Sequence, residues 1–159
     1  MKPANLKVKD CLERAGYEFE IRILSDAVRT AQLAAGALGC EAGQIANSLI
    51  FRDQASDQAV LVMCAGDRRV DLQKVRLETG IELGKADAEF VRQQTGFAIG
   101  GVPPVGHARA LRTLLDDSLQ RHAVIWAAAG TPESVFRMNP QQLQQITEGT
   151  WLDIAQAHA

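Results

Sequence analysis

The stretch IANSLIF at residues 45–51, with RDQASDQ at 52–58 and AVLVMC at 59–64 behind it, decides the fold class. Two apolar runs of strand length flank a polar segment of turn-forming residues. That is the pattern of two consecutive strands joined by a short connection. Upstream, the Ala-rich run at 31–38 reads as a helix that Thr30 caps and Gly39 ends. Before it, Phe19, Ile21 and Ile23 alternate with polar residues at strand period, and residues 5–15 carry helical spacing that stops at Gly16.

Downstream, Gly66-Asp67 turns the chain, Asp71 caps a helix reaching Glu78, and Asp87 or Ala88 starts another reaching Thr95. Residues 96–106 are rich in Gly and Pro and read as an ordered loop. Residues 123–128 form a buried strand and 134–138 a half-exposed one. Asn139-Pro140 then opens a last helix, which Gly149 ends. Strands and helices interleave irregularly, with short turns between consecutive strands. This predicts a mixed α/β fold: a mostly antiparallel sheet, or a partly closed barrel, with helices packed around it. Residues 1–159 are expected to form one domain.

Apolar residues make up 47% and charged residues 23%, enough for a core that needs neither metal nor disulfide. Seventeen basic against nineteen acidic residues leave a net charge of −2, which argues against a surface that grips DNA or any other long duplex. It leaves room for a site that holds one single-stranded RNA end. No run is apolar for long enough to span a membrane, and the first ten residues lack the apolar core of a signal peptide. Cys11, Cys40 and Cys64 are widely spaced and odd in number. They read as reduced, small apolar residues, and the cytoplasm is the expected compartment.

TGFAIGGVPPVGH at 95–107 is the stretch richest in chemistry. Gly100 and Gly101 let backbone approach a ligand and turn N–H groups inward, while Pro103 and Pro104 stiffen the exit towards Gly106 and His107. Such a loop suits the carbonyl oxygen of an acyl group; it equally suits a tight connection between elements. Asn47 and Ser48 form a polar pair at the start of an apolar strand, able to face a pocket or simply to turn the chain. WAAAGTP at 126–132, including Ala129 and Gly130, ends a strand with small residues that make room for a ligand or a neighbour. His107, His122 and His158 lack metal-ligand spacing, and neither GxSxG nor HExxH occurs. Asp116-Asp117 reads as a turn or helix start, and Arg68-Arg69 as a solvated face. No metal or organic cofactor is implied.

Taken together, RTAQLAAGALGC (29–40), QIANSLIF (44–51), GDRRVDLQKV (66–75), TGFAIGGVPPVGH and WAAAGTP resemble, in order and spacing, the YbaK and prolyl-tRNA-synthetase-associated editing family. The resemblance runs from about Thr30 to Ile146. It implies a mixed α/β, barrel-like fold and hydrolysis of the ester of mischarged tRNA, commonly tRNA for proline carrying a small amino acid. With no synthetase flanking it, the chain is expected to act in trans, with the aminoacyl-tRNA 3′ end as partner and prolyl-tRNA synthetase as an associated one. Gly100 and Gly101 match the family loop that contacts the ester and terminal adenosine. Thr30 lies in a pocket-lining segment, and Ser48 matches a hydroxyl residue at the pocket edge. The resemblance extends the substrate-binding set to Pro103, Pro104, Gly106, His107, Ala129 and Gly130. Asn47 stands where family members carry a lysine important for activity, and keeps hydrogen-bonding capacity without the charge. Ala128 and Val135 replace polar residues of some relatives. A second reading keeps the same pocket as a non-catalytic module that binds the aminoacyl-tRNA end.

Overall fold

The computed structural model describes residues 1–25, 28 and 30–157; Arg29 and His158, named above, lie outside the described residues. Strands β2 (Ile45–Asp53) and β3 (Ala59–Ala65) form the expected hairpin and pair antiparallel from Ala46↔Ala65 to Arg52↔Ala59. They stand at the centre of an eight-stranded sheet. Its other strands are β1 (Ile21–Ile23), β4 (Leu83–Gly84), β5 (Arg112–Asp116), β6 (Ile125–Ala128), β7 (Ser134–Met138) and β8 (Thr150–Leu152). The order is β1-β7-β6-β2-β3-β5-β8, and β4 makes a short extra pairing with β2.

The sheet is mixed. β2·β6, β3·β5 and β5·β8 are parallel, the remaining pairs antiparallel. Parallel neighbours need long crossovers, and the chain between β3 and β5 supplies one with helices α3 (Leu72–Thr79) and α4 (Ala88–Thr95). β1 and β8 end the order without meeting, so the sheet stays open. Of the two alternatives, the mixed sheet is the one adopted and the partly closed barrel is not.

Alternation along the strands sorts the core into layers. Leu61, Met63 and Ala65 of β3 join Phe136 and Met138 on one face, together with Val8 and Leu12 of α1 (Pro3–Arg14), Val91 of α4 and Leu143 of α5 (Pro140–Thr147). On the other face, Val60, Val62 and Cys64 meet Val75 of α3. Beside them, Ile45, Trp126 and Val135 meet Ala34 and Ala35 of α2 (Ala31–Leu38). With both faces covered, β3 is buried from end to end, as its unbroken apolar run requires.

Helix starts follow the expected caps. Thr30, Asp71, Asp87 and Asn139 each accept a backbone N–H of the first turn. α5 ends one residue before expectation, with Glu148 rather than Gly149 in the left-handed conformation. Cys64 is buried; burial and then the neighbouring Asp116 push its thiol up to about 12, which makes it inert. Cys11 and Cys40 are free and half-buried. Among the described residues, no helix is long and apolar enough to cross a membrane.

Candidate functional site

The site is a gap in the sheet. β3 covers one edge of β2 along its length. On the opposite edge β6 pairs with β2 only at Ile45↔Trp126 and Ala46↔Ala127, and β4 only at Arg52↔Gly84 and Asp53↔Leu83. Between these contacts no strand of the described residues pairs with the edge, and a cleft of about 680 Å³ opens there. Every residue from 45 to 51 lines it, which a strand with alternating side chains achieves only if its backbone edge forms the wall.

Thr30, Asn47, Ser48 and Gly100 all line this cleft, though far apart in sequence. Asn47 lies opposite Cys64 and Ser48 opposite Met63, so their side chains leave opposite faces of the sheet. The cleft reaches both because it wraps around the strand edge. Ser48 Oγ sits 3.3 Å from Met63 Sδ and donates to it. Thr30 is exposed, and its hydroxyl oxygen accepts the Leu33 N–H at 3.1 Å. Its hydroxyl proton remains available to a ligand. Ala128 and Val135, the two apolar replacements, line the same cleft with Ile45, Trp126, Val91 and Val102.

The glycine pair divides its work. Gly100 is exposed at the cleft with φ +87°, a conformation that favours glycine. Gly101 is buried outside the lining, and its N–H donates to Ala98 O at 3.0 Å, so that donor is committed within the loop. A Cβ on Gly101 would stand 2.7 Å from Thr131 C and Cα and 2.9 Å from Pro132 N. Its lack of a side chain therefore seats the 97–107 loop against the 131–132 backbone, leaving Gly100 over the cleft.

Pro103, Pro104, Gly106 and His107 are not among the lining residues. They anchor the loop. His107 Nε2 lies 2.6 Å from the Pro103 carbonyl, and burial, aided by Lys7, holds its pKa below the ordinary value, against the opposing pull of that hydrogen bond. A neutral ring donating to Pro103 O fits both observations. Ala129 and Gly130 are likewise buried away from the cleft. Asn5 Nδ2 donates to Ala129 O and to Ser134 Oγ, both at 2.8 Å, which ties α1 to the end of β6. Asp116 accepts from Ala65 N at 3.0 Å and from Ser118 N at 2.9 Å, joining β3 to the 3-10 turn Asp117–Arg121.

Sequence reading did not single out Lys85, Ile99 or Pro132, which also line the cleft. Among the described lining residues the charged ones are Lys85 and Asp87, and the Asp87 carboxylate caps α4 through Phe90 N at 2.8 Å. Lys85, exposed and next after β4, is thus the cation at the rim. Nothing in its local pattern marks it; only the β2·β4 pairing brings it to the gap.

A sequence profile of the aminoacyl-tRNA editing domain matches residues 25–146. YwhH of Bacillus subtilis (strain 168), an uncharacterized protein, is 34% identical over 126 residues, which span 79% of this chain and 80% of that one. A protein of Enterococcus faecalis named “Putative Cys-tRNA(Pro)/Cys-tRNA(Cys) deacylase EbsC” is 25% identical over 126 residues, 79% of this chain and 76% of its own length. A crystal structure described as “a putative trans-editing enzyme for prolyl tRNA synthetase” superposes with a TM-score of 0.93 at 39% identity, covering 99% of both chains. This chain belongs to the aminoacyl-tRNA editing domain family, as the residues quoted above indicated.

Proposed function

We propose that this chain is a trans-acting deacylase that hydrolyses the ester of mischarged aminoacyl-tRNA, with tRNA for proline carrying a small non-cognate amino acid as its substrate. The observation that carries the reading is the cleft itself. A gap in the sheet brings strand β2, with Asn47, together with Thr30 and the exposed Gly100 around one volume. The family's activity and the names borne by the Enterococcus protein and the superposing structure support the same class of substrate.

In this reading the aminoacyl ester and terminal adenosine enter between Thr30, β2 and Gly100. Trp126, Val135 and Ile45 supply apolar walls, and Lys85 at the rim faces the phosphate of the incoming strand. Asn47 orients the ester or the ribose by hydrogen bonding. Water attacks the ester carbonyl carbon, the negative charge on its oxygen is held by preorganised N–H donors, and the tRNA hydroxyl departs with a proton. An aminoacyl ester is already activated, so positioning and donors provide much of what the step needs.

Single-turnover hydrolysis of a panel of mischarged tRNAs tests this. Release of a small amino acid from tRNA for proline is the expected result. Binding of the aminoacyl end without hydrolysis would instead establish the non-catalytic module, a reading favoured by Asn47 in place of the family lysine. Neither hydrolysis nor RNA-competed binding overturns both.

A further inference from the structure

We propose that the aminoacyl group pairs with the bare edge of β2 at Ser48 as though it were one residue of a neighbouring strand. The inference rests on the deacylase reading above and specifies how that site recognises its substrate.

In a strand the N–H and C=O of one residue point to the same side, and successive residues point to opposite sides. The Gly66 N–H donates to Ile45 O and the Asp53 N–H to Gln58 O, both at 2.8 Å. Odd-numbered residues of β2 therefore address β3. The Gln54 N–H donates to Glu82 O at 3.0 Å, so even-numbered residues address the opposite edge. There the β6 ladder ends at Ala46↔Ala127, short of the Asn47↔Ala128 rung that would engage the Ser48 N–H. The β4 ladder begins only at Arg52↔Gly84. Ser48, and Ile50 beyond it, thus turn N–H and C=O into the cleft with no strand among the described residues to meet them.

Bare strand edges bind extended chain by completing the ladder. An aminoacyl ester carries an ammonium one carbon from a carbonyl, the arrangement of N–H and C=O within one residue. In a hydrogen-bonded antiparallel pair, two facing residues exchange both bonds. Here the Ser48 C=O accepts from the ammonium and the Ser48 N–H donates to the ester carbonyl. This contact reads the portion common to all amino acids and leaves the side chain to the cleft walls. It also puts a backbone donor on the carbonyl, next to a position where Asn47 offers no charge.

The experiment replaces single peptide bonds by esters, through nonsense suppression with α-hydroxy acids, at residue 48 and, as a control, at residue 49. Wild-type protein is first assayed on the mischarged-tRNA panel. The fastest substrate is then compared with its 2-hydroxyacyl-tRNA counterpart, in which a hydroxyl replaces the ammonium. The ester at 48 should slow hydrolysis about three- to tenfold, the worth of one neutral hydrogen bond, and should lower the melting temperature less than the ester at 49, because it only weakens the Asn47 carbonyl that faces β3 and removes no N–H from that pairing. The ester at 49, which breaks a bond to β3, should lower the melting temperature. The hydroxyacyl substrate should react up to about tenfold more slowly, since its neutral hydroxyl is a weaker donor to the Ser48 carbonyl than the ammonium. A parental rate with the ester at 48, equal rates for the two substrates, or a melting-temperature loss at 48 matching that at 49 each overturns the pairing. If wild-type protein hydrolyses no member of the panel, the deacylase reading falls and the pairing with it.

Discussion

Replacing Gly101 with Ala adds one methyl group where the structure has backbone. The new Cβ would stand 2.7 Å from Thr131 C, 2.7 Å from Thr131 Cα and 2.9 Å from Pro132 N, all well inside contact distance. None of these atoms belongs to a flexible side chain, so either the 97–107 loop or the 131–132 turn has to move. Backbone strain is not the cause, because Gly101, unlike Gly100, has no positive φ. Overpacking of this kind costs about 1–3 kcal/mol. For a chain of this size each kcal/mol lowers the melting temperature by about 2–4 °C, so a loss of about 2–12 °C is expected. The same displacement carries Gly100 away from β2, and single-turnover deacylation should fall with it. Truncating Pro132 to Ala in the double variant should not restore stability, since the clash is with main-chain atoms. A Gly101→Ala protein that melts within 1 °C of the parent, or a double variant that recovers, would refute the packing argument.

Asn47→Ala should slow single-turnover deacylation about three- to tenfold, since a neutral hydrogen bond is worth about 0.5–1.5 kcal/mol, while the melting temperature stays near the parent's; a stability loss without a rate effect would make Asn47 structural. Asn47→Lys should strengthen contact with the carbonyl or phosphate and narrow the range of amino acids released, read from the same panel. His107, whose folded pKa lies below its ordinary 6.5, binds protons more weakly folded than unfolded. Its contribution to stability is therefore complete above about pH 6.5 and is lost as pH falls below that value. Melting curves between pH 7 and pH 5 should show a steeper decline for the parent than for His107→Gln. Asn5→Leu removes both donors that hold Ala129 and Ser134. Ser134 Oγ keeps the Thr131 N–H at 3.2 Å, but stranding the buried Ala129 carbonyl should cost about 1–3 kcal/mol, measured by denaturant unfolding.

What the sequence determined by itself is local. The hairpin at 45–64, the capped helices and the Gly/Pro loop are written in periodicities and cap residues that act within a few positions of themselves, and the quoted segments were enough to recognise the family. Alternation even predicts that Asn47 and Ser48 leave opposite faces of their strand, although reading them as one polar pair passes over it. Tertiary structure alone decided which strands lie beside β2 and how far each pairing runs. Those are non-local choices, and β4, only Leu83–Gly84, is too short to carry a strand period. The gap on the β2 edge exists because β6 and β4 each stop short, and this is what brings Thr30, Gly100 and Lys85 to one cleft. Likewise, two adjacent glycines look equivalent in sequence. Only the backbone of residues 131–132, packed against one and not the other, makes Gly101 a spacer and leaves Gly100 facing the site.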